Sequence, residues 1–230
     1  MSLPLLIAAI STVVLMVVVI RTYPLLITVL AKIIFGKFSL RYLRTHKKFF
    51  GTSPYGYCIK DDFINHIASF FMVSGNKPKL KTNLPVLFGD TRFGEKFGKI
   101  VKNTHKLVCL NATKLPQFDL KIAGYRSEMF ENEMKTYYFF ANNRFFMGEY
   151  SFKLPDDDKI KEISTIIQKK YLGEEKVADV DFLIVHENQA VLSVEHNGFH
   201  LSIKYLDLSN DVLSHSLNSF WESKIRKKPV

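Results

Sequence analysis

"KTYYFFANNRFFMGEYSFKLPDDDKIKEISTIIQKKYLG", residues 135–173, carries the two patterns on which the fold is read. Its first half is two aromatic-rich runs around Asn142-Asn143, residues that accept the positive φ of a tight turn, so a β-hairpin is predicted over 135–152. Its second half starts with Pro155 and three aspartates and carries Ile160, Ile163, Ile166 and Ile167 as a stripe. Lys169 and Lys170 fall in the last turn and Gly173 follows. Acid at the start, base at the end and a terminal glycine match the helix dipole and the left-handed cap, so a helix is predicted there.

The same alternation appears outward from this core. "KLVCLN" from 106 and "FDLKIAGY" from 118 read as strands before it. Two further strands joined at Asn197-Gly198 carry the chain to Leu206 after it. A final helix is expected with Val212, Leu213, Leu217, Phe220 and Trp221. Upstream, Asp61 or Asp62 caps a helix over about 62–74, with Phe63, Ile64, Ile67, Phe70 and Phe71 at helical spacing. "NKPKLKTNLP" reads as a linker, which places a domain boundary near residue 80. "FGDTRFGEKFGKIVKN" reads as a short helix capped by Asp90 or Thr91, its glycines allowing close approach to the sheet. The fold class is therefore α+β: an N-terminal transmembrane helix, then an antiparallel sheet with helices packed on one face. The order of elements suggests two tandem helix-plus-meander units.

Residues 3–20, "LPLLIAAISTVVLMVVVI", contain no charge and reach about 27 Å as a helix, enough for a bilayer core. No Lys or Arg precedes them, which argues for an uncleaved anchor over a signal peptide. Ala8, Ala9, Ser11 and Thr12 offer a small-residue face to neighbouring helices. The stretch from Tyr23 to Arg44 reads either as an oblique continuation or as an interfacial helix, and less readily as a second crossing. The resulting organisation is an anchor with amphipathic extension over 1–36, a basic juxtamembrane segment with one helix over 37–80, and a soluble α+β domain over 81–230.

Charge sharpens this picture. The chain carries a net +10, but its first sixty residues hold eight Lys and Arg and no acid, and 12 residues at the C-terminal end hold four bases against Glu222. The body between them is neutral. Arg21, Lys32, Lys37, Arg41, Arg44, Lys47 and Lys48, with Lys224, Arg226, Lys227 and Lys228, are thus the candidate membrane-surface residues, and a nucleic-acid partner is not expected. Cations on the C-terminal side of the apolar run predict a single-pass protein of the plasma or inner membrane with its domain in the cytoplasm. Cys58 and Cys109, lying outside any CxxC, agree as ordinary thiols of a reducing compartment.

No motif names a reaction. "HENQAVLSVEHNGFH", residues 186–200, has metal-like composition, yet a two-residue Asn197-Gly198 loop sends His196 and His200 to opposite faces and leaves His186 far along the strand. That register pairs Glu195 with His200 on a polar face, where Glu195, His200 and Lys204 form a candidate partner surface. The glycines of "FGDTRFGEKFGKI" lack P-loop spacing, and the acids of "PDDDK" suit a helix start. "NAT" at 111–113 is a glycosylation sequon. No catalytic residue, metal ligand or cofactor is assigned. The expected function is a non-enzymatic membrane-anchored accessory protein, a subunit or adaptor of a larger membrane complex, with the bilayer and other membrane proteins as partners. The alternatives are a membrane-associated enzyme on a lipid or small molecule and a peripheral module for anionic lipid. Nothing in the sequence sets the oligomeric state.

Overall fold

A computed structural model describes residues 3–59, 66–67, 77–104, 107–114, 118–129, 132–153, 156–173, 180–187, 189–198 and 200–209. The chain divides into two compact units, Met1–Gly56 and Tyr57–Val230. The division falls well before the expected residue 80, because a disulfide and several hydrogen bonds tie the residues after Tyr57 to the sheet.

The first unit is a pair of helices. α1, Leu3–Phe35, is one helix that continues through Pro24, so residues 24–35 do not turn back as a second crossing. Proline removes one rung of the backbone ladder. On either side of it, Thr22 Oγ1 donates to the Val18 carbonyl (2.8 Å) and Thr28 Oγ1 to the Pro24 carbonyl (2.7 Å). At 1.5 Å per residue α1 is about 50 Å long, and it contains one stretch, Ile10–Phe35, long and apolar enough to span a membrane. Gly36 takes a positive φ, and Ser39 then caps α2, Leu40–Phe50, by accepting from the Tyr42 N–H. Gly51 ends α2 in the left-handed region. The two helices pack together, with Tyr23 edge-on to Phe49 and with Thr28, Ala31, Tyr42 and Leu43 buried.

The second unit is built on an eight-stranded sheet. Its strands are β1 (Lys79–Thr82), β2 (Cys109–Lys114), β3 (Asp119–Met129), β4 (Asn132–Ala141), β5 (Arg144–Lys153), β6 (Phe182–His186), β7 (Ala190–His196) and β8 (His200–Asp207), in spatial order β1-β6-β7-β8-β5-β4-β3-β2. Two meanders, β2 to β5 and β6 to β8, meet at the antiparallel β5–β8 pair. α3 (Phe97–Asn103) precedes the first meander and α4 (Asp157–Leu172) the second. The tandem helix-plus-meander order is therefore present.

Three expectations need correction. The sheet is mixed, since β1 runs parallel to β6 and lies inside the segment expected to be a linker. Its Lys79 and Lys81 are exposed, as suits an edge, while Thr82 is buried and donates to the Tyr171 carbonyl of α4 (2.7 Å). Helices are not confined to one face: α3 and α4 cover the side bearing Phe88, Phe140 and Tyr205, while the helical residues His66 and Ile67 pack on the other. α3 also begins later than expected, after Lys96, because Phe88 instead bridges Thr91 within the segment and Gly94, Glu95 and Lys96 pair with Arg144 and Phe145 beside the β4–β5 turn. Gly98 has open space where a side chain would be, so it serves no close approach. Most of the expected 62–74 helix and all of the final one lie outside the described residues.

The glycines that do matter for packing are Gly124 and Gly148, on opposite faces. A methyl group on Gly148 would enter the ring of Phe88, which is fully buried and stacked on Tyr150 at 4.4 Å. A methyl group on Gly124 would collide with the sulfur of Cys109. Cys58 and Cys109 are joined in a disulfide, which overturns the expectation of two free thiols.

Candidate functional site

The strand register places one row of residues across the face opposite α3 and α4: Cys109, Gly124, Tyr137, Glu149, Lys204, Ser193 and Leu183 are successive cross-strand partners from β2 to β6. Directly opposed residues share a face. The row therefore runs from a disulfide, through an acid and a base, to an aliphatic residue, and it lies among the core side chains Phe139, Met147 and Leu206.

Glu149 is 1% exposed and Lys204 3%, so neither charge has water to stabilise it. Glu149 lies 2.6 Å from His66 Nε2, whose ring stacks on Phe139. Lys204 Nζ donates to Glu195 Oε2 (2.7 Å), and Lys77 Nζ reaches Glu195 Oε1 (3.2 Å), Ser193 Oγ (3.0 Å) and the Val194 carbonyl (3.0 Å). Ser193 Oγ completes the loop by donating to Glu195 Oε1 (3.1 Å). Burial alone pushes the Glu149 carboxyl up, but His66 and then Lys204 outweigh it and hold Glu149 below the usual range. Glu195 is likewise lowered, its burial overcome by Lys204 and Lys77. Burial lowers Lys77 despite Glu195, and Tyr137 is pushed up to about 12 by burial and then by Glu149.

Glu195 holds both lysines within hydrogen-bond reach, while Glu149 is bonded to His66 and feels Lys204 through its charge, and these contacts join three segments of the chain. His66 and Lys77 come from the segment before β1, Glu149 from the first meander, and Ser193, Glu195 and Lys204 from the second. The network acts as a clamp that seats His66 and Lys77 on the sheet. Asn111 adds to this clamp: its Oδ1 accepts from the Cys58 N–H (2.6 Å) and its Nδ2 donates to the Ile59 carbonyl (3.1 Å). The sequon asparagine is thus engaged in holding the disulfide strap.

The candidate partner face separates into two parts. Glu195 and Lys204 belong to the clamp, whereas His200 is exposed and opposes Lys153 on β5. Their register also differs from expectation. Glu195 opposes Ser202 and His196 opposes Leu201, two positions from the expected pairing, because Asn197 pairs with His200 and Gly198 takes the first loop position at φ 80°. An even shift keeps every side chain on its face, so His196 and His200 do point to opposite sides. Among the described residues no three His, Cys, Asp or Glu side chains gather as a metal site. Glu149, His66, Lys77 and Ser193 carried no signal beyond the lone acid in "FFMGEYSF", since His66 lies 83 residues from Glu149 and Lys77 lies 116 from Ser193.

Of the candidate membrane-surface residues, Arg21, Lys32, Lys37, Arg41, Arg44, Lys47 and Lys48 are all exposed on the α1–α2 unit, and Lys224, Arg226, Lys227 and Lys228 lie outside the described residues. Three of these cations sit over aromatic rings: Arg41 over Phe35 (4.9 Å), Lys37 over Phe38 (4.9 Å) and Lys48 over Phe49 (5.7 Å). No protein-family model, no curated protein and no solved structure matches the chain.

Proposed function

We propose that this protein is a membrane-anchored accessory protein: α1 holds it in the bilayer and packs against the helices of a membrane partner, and the sheet unit acts as a binding domain. The observation that carries this reading is the surface of α1. Large apolar side chains from Ile7 to Ile34 are exposed along it, Val14, Val17, Ile20 and Ile33 among them. So long a bare apolar surface calls for lipid or other helices. The sheet unit supports a binding role through its rigidity, given by the disulfide and the buried clamp.

The side of the membrane follows from the disulfide in this proposal. A bond closed inside a core and accommodated by Gly124 belongs to a compartment that oxidises thiols. The sheet unit accordingly resides on the oxidising side, not in the cytoplasm that the cation count suggested.

Photo-crosslinking in native membranes tests the partner role. With a photoreactive residue at Val14 or Val17, the full-length protein is expected to give one discrete protein adduct from one helix face. Adducts to lipid alone, from every face, would sink the accessory role while leaving the anchor in place.

A further inference from the structure

We propose that the outer face of α2 is a binding surface for the anionic phospholipid headgroups of the leaflet beside α1. The inference rests on α1 being a membrane anchor and adds what its extension recognises.

At 100° per residue, Arg41, Arg44 and Lys48 fall within about 60° of one another on α2. They are exposed, and Tyr42 and Leu43 on the far side are buried in the helix pair. On α1, the buried Thr28 and Ala31 mark the side covered by α2. The same spacing puts Leu26, Leu30 and Ile33 on the opposite side, where they are 61%, 46% and 73% exposed. The pair is thus apolar on one side and basic on the other, as an element lying in a membrane interface is.

Depth follows from cost. A bilayer core takes about 20 helical residues, fewer than the 33 of α1. The helix turns beside α2 therefore reach the headgroup level, because charged side chains are strongly disfavoured in hydrocarbon. The Tyr23–Phe49 contact brings the end of α2 back toward the middle of α1, and the aromatic rings under Arg41 and Lys48 suit that boundary. Charge complementarity selects the occupant: no Asp or Glu occurs before residue 61, so every charge on this face attracts phosphate.

The test uses the full-length protein in phosphatidylcholine vesicles doped with spin-labelled phosphatidylglycerol or spin-labelled phosphatidylcholine. The motionally restricted fraction of each label reports association. The expected result is preferential retention of phosphatidylglycerol that high salt removes. Arg41→Gln with Arg44→Gln and Lys48→Gln should lower the preference about fivefold per cation, whereas Arg41→Lys with Arg44→Lys should keep it. Equal association of both labels with wild-type protein overturns the proposal, as does a preference that the neutral variant retains. Failure to float with phosphatidylcholine vesicles would instead overturn the anchor itself.

Discussion

Glu149 carries an unusual burden for one side chain, because a carboxylate at 1% exposure holds its charge through His66, Lys204 and a hydrogen bond from Ser202. Glu149→Gln preserves the volume and removes the charge that Lys204 and His66 face. The expected loss is about 3 kcal/mol in chemical denaturation near neutral pH. The pH dependence has a definite sign. The carboxyls of Glu149 and Glu195 are both lowered from 4.5, so their contribution is complete above that value and is lost as pH falls below it through the lowered folded-state values. Wild-type stability should therefore drop steeply from about 4.5 downward, and the Gln variant should drop less. Parallel acid profiles for the two proteins would remove the clamp from the account of stability. Strand alternation alone already puts Glu149 on one face with Met147, but Tyr137 comes opposite Glu149 only through the register shift between Phe139 and Phe140, which the hairpin turn does not encode. Its partners were not legible, because they arrive from distant segments through a strand order that no local pattern encodes.

Elements whose signals are local were legible, and those defined by distant pairing were not. α4 begins at its aspartates and ends at Gly173 as its periodicity requires, with Asp156 accepting from the Lys159 N–H (2.7 Å). The β4–β5 turn uses Asn142 and Asn143 at positive φ, as residues of that type allow. β1 escaped notice because it has four residues, two of them lysines, and its partner β6 begins about a hundred residues later. Such a strand has little burial of its own, so beyond its ladder with β6 it is held by Thr82, whose hydroxyl donates to the Tyr171 carbonyl and accepts from the Leu84 N–H (3.1 Å). Thr82→Val keeps the shape and leaves both groups without that partner, for an expected loss of about 1–3 kcal/mol. Hydrogen exchange localises the effect: amides of β1 and β6 should exchange faster while those of β4 and β5 do not change. A uniform increase across the sheet would mean that β1 is part of the global cooperative unit and not a separately held edge.

For the whole molecule, the disulfide decides more than any element. It closes a loop across 51 residues that contains β1 and α3, and it ties Cys58 to the sheet where Asn111 already holds Cys58 and Ile59. Restricting the unfolded chain over that separation stabilises the folded unit by about 2–4 kcal/mol. Cations flanking α1 point to the cytoplasm through insertion bias, whereas the oxidising side proposed above follows from the disulfide, and the two readings make opposite demands on the thiols. In acid-quenched cells, Cys58 and Cys109 should resist a maleimide reagent until a reductant is added. Purified protein should lose about 2–4 kcal/mol on reduction, with Cys58→Ser plus Cys109→Ser matching the reduced form. Full labelling without reductant would return the domain to the cytoplasm. Protected thiols whose reduction leaves stability unchanged would keep the compartment and transfer the seating of Cys58 to Asn111.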